Sequence, residues 1–421
     1  MNKELAKIFQ AISYYLEMDG ISFKPQAYMK ACEVLNSLEE EVSKLYLEGG
    51  LKKLQEIPGI GKSMALQIEE YIKTGKVMMF EEYFKKIPVK LFDLLSLNGL
   101  GPKTIHSLYI NLGITDIPSL KKALEEGKIR TVSRLGIKME MKLAKSLSFY
   151  DKDKEDVPDE KELKTVDEEK GDLIRLSDIK GDLHIHTPRN EFGKLADDEE
   201  DQIWRYINLG LKLGYKYIGI SNHTEYLKIE RGLSGEELML EKKLIEKINL
   251  DLKKKGIDFR VYHGCEANIL KDGSLDISDE YLKELDYVMG GIHSSFNLTK
   301  EDQTQRLIKA LENPYLKIIT HPTGRLINLR DSYEIDFDKI LEETKKNNKI
   351  LEINASPVRL DLNYINISKA VNMGIKLVIN TDSHALNQMN LMKYGVAEAR
   401  RGKTGKNNIL NTQEKLDFWL N

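Results

Sequence analysis

Hydrophobic and polar positions follow two different patterns along this chain. Up to about residue 148 the apolar residues recur at spacings of three and four, as in LAKIFQAISYYLEM, which predicts amphipathic helices. From residue 179 onward, short apolar runs are each followed by a polar motif and then by a stretch with helical spacing. The first pattern predicts an all-α region, and the second predicts alternating strands and helices with a parallel sheet.

A highly charged segment separates the two patterns. In residues 151–170, DKDKEDVPDEKELKTVDEEK, 15 of the 20 residues are charged, which predicts a solvated linker rather than a packed element. We therefore expect a helical domain over 1–85, a second helical domain over 86–148, a charged linker over 149–178 and an α/β domain over 179–421.

The α/β part contains seven predicted strands. They are GDLHIHT (181–187), YKYIGISNHT (215–224), FRVYHGCEANI (259–269), LDYVMGGIHS (285–294), LKIITHPTG (316–324), KILEINAS (349–356) and IKLVINTDSH (375–384). Each polar motif lies at the carboxyl end of its strand, where α/β barrels build their sites. The predicted fold is a (β/α)7 barrel.

Metal-binding side chains concentrate at these strand ends. Six of the eight histidines and two carboxylates fall there: His184, His186, His223, Glu266, His293, His321, Asp382 and His384. Because residues i and i+2 of a strand point to the same face, His184 and His186 can bind one cluster together, as can Asp382 and His384. Eight ligands exceed the needs of one ion and indicate two or three. Nitrogen and oxygen ligands together favour Mn2+ or Zn2+, with Fe2+ also suited. Closely spaced ions of this kind promote phosphoryl transfer.

The helical part contains two similar turns. LQEIPGIGKSMALQIEEYI (54–72) and LLSLNGLGPKTIHSLYINL (94–112) both read as a helix, a turn with two glycines and a second helix. Such helix-hairpin-helix turns can direct backbone N–H groups at a DNA phosphate without reading the base sequence. The predicted DNA-binding residues are Gly59, Gly61, Lys62, Gly99, Gly101 and Lys103. A plain helical hairpin without DNA contact is the alternative.

Composition restricts the setting more than the function. The net charge is −3, so any attraction to DNA must come from local patches. The two cysteines, Cys32 and Cys265, fit a reducing compartment, and no apolar run approaches the roughly 20 residues that cross a bilayer. We expect a cytoplasmic protein that is monomeric and has no membrane partner.

The strand-end motifs together resemble the polymerase-and-histidinol-phosphatase (PHP) domain, in the form found at the C-terminus of bacterial family X DNA polymerases. The resemblance covers about 179–410 and rests on GDLHIHT, SNHTEYLKIERGLS, GCEANILKDGSLD, GGIHSSFN, THPTGRLI, LEINASPVRLDL and NTDSHALNQMN. It implies a distorted barrel with a trinuclear metal centre and phosphoesterase activity, including 3′–5′ exonuclease activity. It also implies a ninth ligand, for which Glu191 is the nearest substitute. Arg325, directly after HPTG, is expected to bind phosphate as a catalytic residue.

Residues 1–148 resemble the amino-terminal region of the same polymerases, but the nucleotidyltransferase palm has no counterpart here. Only about 30 residues connect the helices to the barrel, too few for a palm. We therefore expect a metal-dependent exonuclease or 3′-end processing enzyme of DNA repair that does not synthesise DNA. A small-molecule phosphatase of the histidinol-phosphatase type and a DNA-binding scaffold without catalysis are the alternatives.

Overall fold

The structure is a computed structural model that describes residues 1–38, 40–97, 100–133, 135–153, 157–187, 199–225 and 232–416. The chain forms two compact units, Met1–Asp151 and Lys152–Asn421. No helix among the described residues is long and apolar enough to cross a membrane.

The first unit is helical, as the spacing of its apolar residues predicts. Its helices are α1 (Asn2–Met18), α2 (Lys24–Ser37), α3 (Val42–Gln55), α4 (Lys62–Thr74), α5 (Met78–Lys86), α6 (Pro102–Leu112), α7 (Ile117–Glu125) and α8 (Gly136–Asp153). Short 3-10 helices at Val89–Ser96 and Ile129–Thr131 connect some of them.

Helix α1 joins two hydrophobic cores. Leu5 and Phe9 lie in a core formed with α2, α3 and α4, whereas Tyr15 and Met18 lie in a second core that extends to α6, α7 and α8. The Tyr15 hydroxyl donates to the carbonyl of Ile87 over 3.0 Å, which anchors α1 beside the start of the second core. The two cores share α1, and Phe80 and Tyr83 of α5 also pack against both; the boundary between domains 1–85 and 86–148 stays a prediction.

The second unit alternates strands and helices. Its strands are β1 (Gly181–Ile185), β2 (Tyr217–Ile220), β3 (Arg260–Asn268), β4 (Tyr287–Gly291), β5 (Leu316–Ile319), β6 (Ile350–Asn354) and β7 (Leu377–Asn380). Its helices are α9 (Glu160–Lys164), α10 (Glu199–Lys212), α11 (Gly235–Lys254), α12 (Asp279–Leu282), α13 (Lys300–Leu311), α14 (Phe337–Lys346), α15 (Tyr364–Asn372) and α16 (Met392–Arg401).

The seven strands are parallel and adjacent in chain order, so the predicted (β/α)7 barrel is confirmed. The ends of the sheet meet where Ser383, just beyond β7, exchanges backbone hydrogen bonds with β1. Its N–H donates to the carbonyl of His184 (3.0 Å), and its carbonyl accepts from the N–H of His186 (2.8 Å). This contact brings the first and last motifs of the barrel together.

Large side chains fill the barrel interior below the strand ends. Tyr217, Tyr262 and Tyr287 pack there with Leu183 and Met289. Gly219 and Gly264 make room for Tyr287: a Cβ atom at Gly219 would lie 2.2 Å from its hydroxyl, and one at Gly264 would lie 2.5 Å from its ring. The interior is a packed core, so chemistry is restricted to the open end of the barrel.

The charged segment differs from the predicted linker in its second half. Val166 and Ile174 are buried in the barrel core, and the Arg400 guanidinium donates to the carbonyl of Ile174 over 2.8 Å. Two apolar residues therefore attach an otherwise charged stretch to the barrel. In the sequence, two apolar residues among so many charged ones are too few to predict a packed segment. The described residues from 159 to 178 belong to the barrel unit.

Candidate metal centre and nucleic-acid hairpins

The structure brings the eight predicted ligands together at the carboxyl end of the barrel. His184 and Glu266 lie within β1 and β3, and the other six lie one to four residues beyond the ends of β1, β2, β4, β5 and β7. Parallel strands that all end at one rim explain why residues nearly 200 positions apart in the chain meet.

The carboxylate of Glu266 is the centre of the group. Five imidazole nitrogens surround its oxygens: His321 Nε2 at 2.8 Å, His223 Nδ1 at 2.9 Å, His293 Nε2 at 3.1 Å, His184 Nε2 at 3.3 Å and His186 Nε2 at 3.6 Å. Glu266 is fully buried, and it lies near the carboxyl end of β3, the longest strand, two residues before that strand ends.

Asp382 forms a second point of convergence. Its Oδ1 lies 3.2 Å from His186 Nε2, 3.5 Å from His184 Nε2 and 3.6 Å from His384 Nδ1. Asp382 and His321 both have left-handed backbone torsions, with φ of 56° and 29°. Non-glycine residues seldom adopt such torsions, and they concentrate at functional sites where the surrounding structure holds them.

The donor set fits divalent metal ions. Three groups have their ligand atoms within 4.8 Å of one another: His186, His223 and His384; His184, His186, Glu266 and Asp382; and His223, Glu266 and His293. Several of the buried atoms, including His184 Nε2, His186 Nε2, His223 Nδ1 and Glu266 Oε2, have no hydrogen-bond partner within the part of the chain that the structure describes. Buried polar atoms without hydrogen bonds that converge on one another need a cation to satisfy them.

The charges inside the site are strongly coupled. Burial raises the pKa of Glu266, but the histidines His223, His293 and His184 outweigh it and hold that pKa well below its usual range. Burial and the neighbouring His223 hold the pKa of His186 well below its usual value. Burial and the charge of Arg359 lower the pKa of His321 to about 4. The lowered pKa values of His186 and His321 favour the neutral imidazole that binds a metal, whereas at His184 and His223 burial is outweighed by nearby carboxylates, which raise the pKa of both.

Glu352, which the sequence motifs did not single out, supports the site from behind. It is fully buried in β6, and its Oε1 lies 2.7 Å from His184 Nδ1. Its Oε2 accepts from the backbone N–H of His321 over 2.8 Å and from the Thr320 hydroxyl over 2.5 Å. A carboxylate on one ring nitrogen fixes the proton there and leaves the other nitrogen free for a metal. In the sequence, the i, i+2 spacing of Glu352 and Asn354 in LEINAS could have indicated that both polar side chains face the same side of the strand.

Asn268 orients His293 in the same manner. Its Oδ1 lies 2.7 Å from His293 Nδ1, while its Nδ2 donates to Asp276 over 2.7 Å. Since the amide nitrogen donates to Asp276, the amide oxygen faces the histidine and accepts a hydrogen bond from its Nδ1–H. His293 Nε2 is thereby left to face Glu266.

The site is open on the side of His384, whose side chain is 44% exposed while the other seven ligands are buried or nearly so. Arg325, in contrast, is buried, and its guanidinium donates to the carbonyls of Arg359 (2.8 Å) and Leu360 (2.5 Å). Its binding to phosphate stays a prediction. Glu191 lies outside the described residues, so its role as a ninth ligand also stays a prediction.

The first predicted hairpin joins α3 to α4. Gly59 has a φ of 89°, Ile60 is buried, and Gly61 precedes α4 without a side chain that caps it. Lys62 begins the helix and is exposed. The first backbone N–H groups of α4 are therefore accessible beside a cation, an arrangement suited to a phosphate.

The second hairpin repeats this arrangement before α6. Leu100 is buried, Gly101 precedes the helix without a side-chain cap, and Lys103 is exposed in its first turn. Gly99 lies outside the described residues. DNA contact by these residues stays a prediction, and the described geometry of both turns is compatible with it.

The fold and the ligand set define the class of protein first: a helical unit with glycine-containing helical hairpins, followed by a seven-stranded parallel barrel with a candidate metal centre at its carboxyl end. A sequence model of the helix-hairpin-helix domain matches residues 1–77.

Particular relatives agree with this class. The chain is 28% identical to the DNA polymerase/3′-5′ exonuclease PolX of Bacillus subtilis over an alignment of 575 residues, which covers 99% of this chain and 98% of PolX. It is also 34% identical over 140 residues to a probable phosphatase of Clostridium acetobutylicum and 33% identical over 134 residues to one of Caldanaerobacter subterraneus. These two matches cover 31% and 30% of this chain and span 55% and 50% of the phosphatases, about half of their length.

Proposed function

We propose that this protein is a metal-dependent phosphoesterase that removes nucleotides from, or otherwise processes, the 3′ ends of DNA. The observation that carries the proposal is the convergence of five imidazole nitrogens on the buried carboxylate of Glu266, with Asp382 beside them. Two or three divalent ions bound by the eight ligands would polarise a phosphoryl group and lower the pKa of water.

Residues next to the candidate ligands orient these ligands for the reaction. Glu352 and Asn268 keep His184 and His293 in the tautomers that face the site. Substrate enters from the side of His384, because this ligand is the exposed one. A water oxygen bonds to phosphorus, the bond from phosphorus to the 3′ oxygen of the preceding sugar breaks, and that oxygen takes up a proton.

The helical unit supports DNA as the substrate. Two hairpins with exposed lysines at helix N-termini would bind the DNA backbone without reading its sequence. A relative aligned along nearly its whole length is named for both DNA polymerase and 3′-5′ exonuclease activity. A phosphatase that acts on small molecules has no need of such hairpins. Because two relatives are named as probable phosphatases, small-molecule phosphatase activity is the second candidate function.

We propose further that the chain does not synthesise DNA. The alignment with PolX is 575 residues long and this chain has 421, so at least 154 aligned positions are gaps in this chain. Together these gaps comprise enough residues to account for a missing palm domain. The aspartates between the hairpins and the barrel, in KGDLIRLSD, lack the motif that would pair with them.

A pair of labelled duplexes tests the proposal. The full chain with Mn2+ should release labelled nucleotide at once from a 3′-labelled strand, while a 5′-labelled strand should shorten stepwise. With nucleoside triphosphates and a primed template, no extension should occur. Turnover of histidinol phosphate without any release from DNA would favour the small-molecule phosphatase instead. We also propose that the protein is cytoplasmic and monomeric.

A further inference from the structure

Arg359 lies at the open mouth of the metal centre. It follows β6 in a turn whose hydrogen bond runs from the Arg359 N–H to the carbonyl of Ser356 (2.8 Å). Its Nε is 3.5 Å from Asp382 Oδ2, and its side chain is 21% exposed. It is therefore a cation that touches a ligand of the site and still reaches solvent.

The turn that carries Arg359 is held rigidly from below. Arg325 donates to the carbonyls of Arg359 and Leu360, and the backbone N–H and hydroxyl of Thr323 donate to the carboxylate of Asp361 (3.0 and 2.9 Å). Leu360 has a φ of 44°, a torsion that needs such support. Two residues of the loop after β5 thus hold the backbone of the turn that carries Arg359.

The guanidinium of Arg359 has donors to spare. Among the described residues it makes no hydrogen bond, and its one ion pair is the 3.5 Å contact with Asp382. That carboxylate is already engaged, since Oδ2 accepts from Asn354 over 3.1 Å and Oδ1 faces His186 and His184. A mostly buried guanidinium whose N–H groups lack acceptors is ready to bind an anion.

We propose that Arg359 is a catalytic residue whose guanidinium binds a non-bridging oxygen of the scissile phosphate, and that Arg325 is a positioning residue that acts through it. The inference rests on the proposed phosphoesterase function. As the water oxygen bonds to phosphorus and the leaving oxygen departs, negative charge increases on the non-bridging oxygens. A planar guanidinium can donate two parallel hydrogen bonds to such oxygens, which a lysine cannot do.

An alternative role for Arg359 would be to hold Asp382 in place for the metal. The two roles differ in a measurable way. A residue that only supports Asp382 weakens metal binding when it is removed. Removal of a residue that only binds phosphate does not weaken metal binding, because the loss of its positive charge reduces the repulsion of the nearby cations.

The test compares the variants Arg359→Ala and Arg359→Lys with the wild type and with Arg260→Ala, all as the full chain loaded with Mn2+. Arg260 lies at the amino end of β3 and pairs with Asp286 over 3.3 Å, so it serves as the control for loss of an arginine. Calorimetry measures Mn2+ affinity. The hydrolysis of bis(p-nitrophenyl) phosphate measures catalysis, and the inhibition of this hydrolysis by inorganic phosphate measures phosphate binding.

For Arg359→Ala we expect a loss of about 100-fold in kcat/KM, weaker inhibition by inorganic phosphate and no loss of Mn2+ affinity. Arg359→Lys should recover only part of the loss. Arg325→Ala alone should reduce the rate of hydrolysis. Added to Arg359→Ala, it should cause no further reduction, because a positioning residue acts only through the residue it positions.

Hydrolysis by Arg359→Ala within twofold of the wild type would overturn the role of Arg359 alone. So would a loss of activity that follows a loss of bound Mn2+. A wild-type protein that binds Mn2+ but hydrolyses no phosphoester would overturn the proposed function itself, and the two failures are therefore distinguishable.

Discussion

Replacing Glu352 with glutamine is the sharpest test of how the metal centre is held. The two oxygens of Glu352 face only donors. His184 Nδ1 and Asn380 Nδ2 (3.0 Å) lie at Oε1. The Thr320 hydroxyl, the His321 N–H and Asn354 Nδ2 (3.3 Å) lie at Oε2. Glutamine has the same shape, but its amide group must point an NH2 at one of these two sets of donors.

Either orientation removes acceptors from buried groups. If the NH2 faces His184, the ring must keep a lone pair on Nδ1 and carry its proton on Nε2, the atom that faces Glu266 and Asp382. Each buried donor left without an acceptor costs about 1–3 kcal/mol. Changes in residues that orient metal ligands weaken metal binding by about 10- to 100-fold, or about 1.4–2.8 kcal/mol. We expect a loss of that size.

The assay is a calorimetric titration of Mn2+ into metal-free Glu352→Gln, with circular dichroism to verify that the barrel is folded. Glu398→Gln is the matched control, since Glu398 is equally buried but lies on α16, where it accepts from the Tyr364 N–H over 2.7 Å. A folded Glu352→Gln protein that binds Mn2+ as tightly as the control would refute the reasoning.

Three further predictions concern other parts of the chain. Burial raises the pKa of Glu398 to about 7, so its contribution to stability is complete below the unfolded value near 4.5 and is lost as the pH rises to 7. Glu398→Gln should remove this decline, about 3 kcal/mol at most, from denaturant titrations of the barrel. Replacing Lys62 and Lys103 with alanine should reduce the slope of DNA affinity against salt by about 2, measured by fluorescence anisotropy, and an unchanged slope would mean that the hairpins are structural. Gly264→Ala places a Cβ 2.5 Å from the ring of Tyr287 and should lower the free energy of unfolding by about 1–3 kcal/mol, whereas undiminished stability would contradict the packed interior.

The sequence predicts the barrel and the gathering of the eight candidate ligands at one rim, because both depend on short-range patterns. In a segment such as IKLVINTDSH, the polar residues Asp382 and His384 mark the carboxyl end of the strand. A parallel sheet brings all such ends to one rim. The pairing of His184 and His186 at i, i+2 follows from strand geometry alone.

The parts that sequence reasoning missed depend on contacts between distant segments. Glu352 looks like an ordinary strand residue until β1 places His184 beside it, 168 positions away in the chain. Arg325 and Arg359 are both arginines near the motifs, and only the packing of the turn after β6 tells which guanidinium is used by backbone carbonyls and which faces the mouth. No local pattern encodes that difference.

The most direct test of the central claim is the rate at which nucleotide is released from a 3′-labelled DNA duplex as Mn2+ is added to the full chain. The account predicts release that depends on Mn2+ in the wild type and none from a folded protein with both His184→Ala and His186→Ala. Release that persists in the double variant at the wild-type rate would contradict a metal centre built on the strand ends.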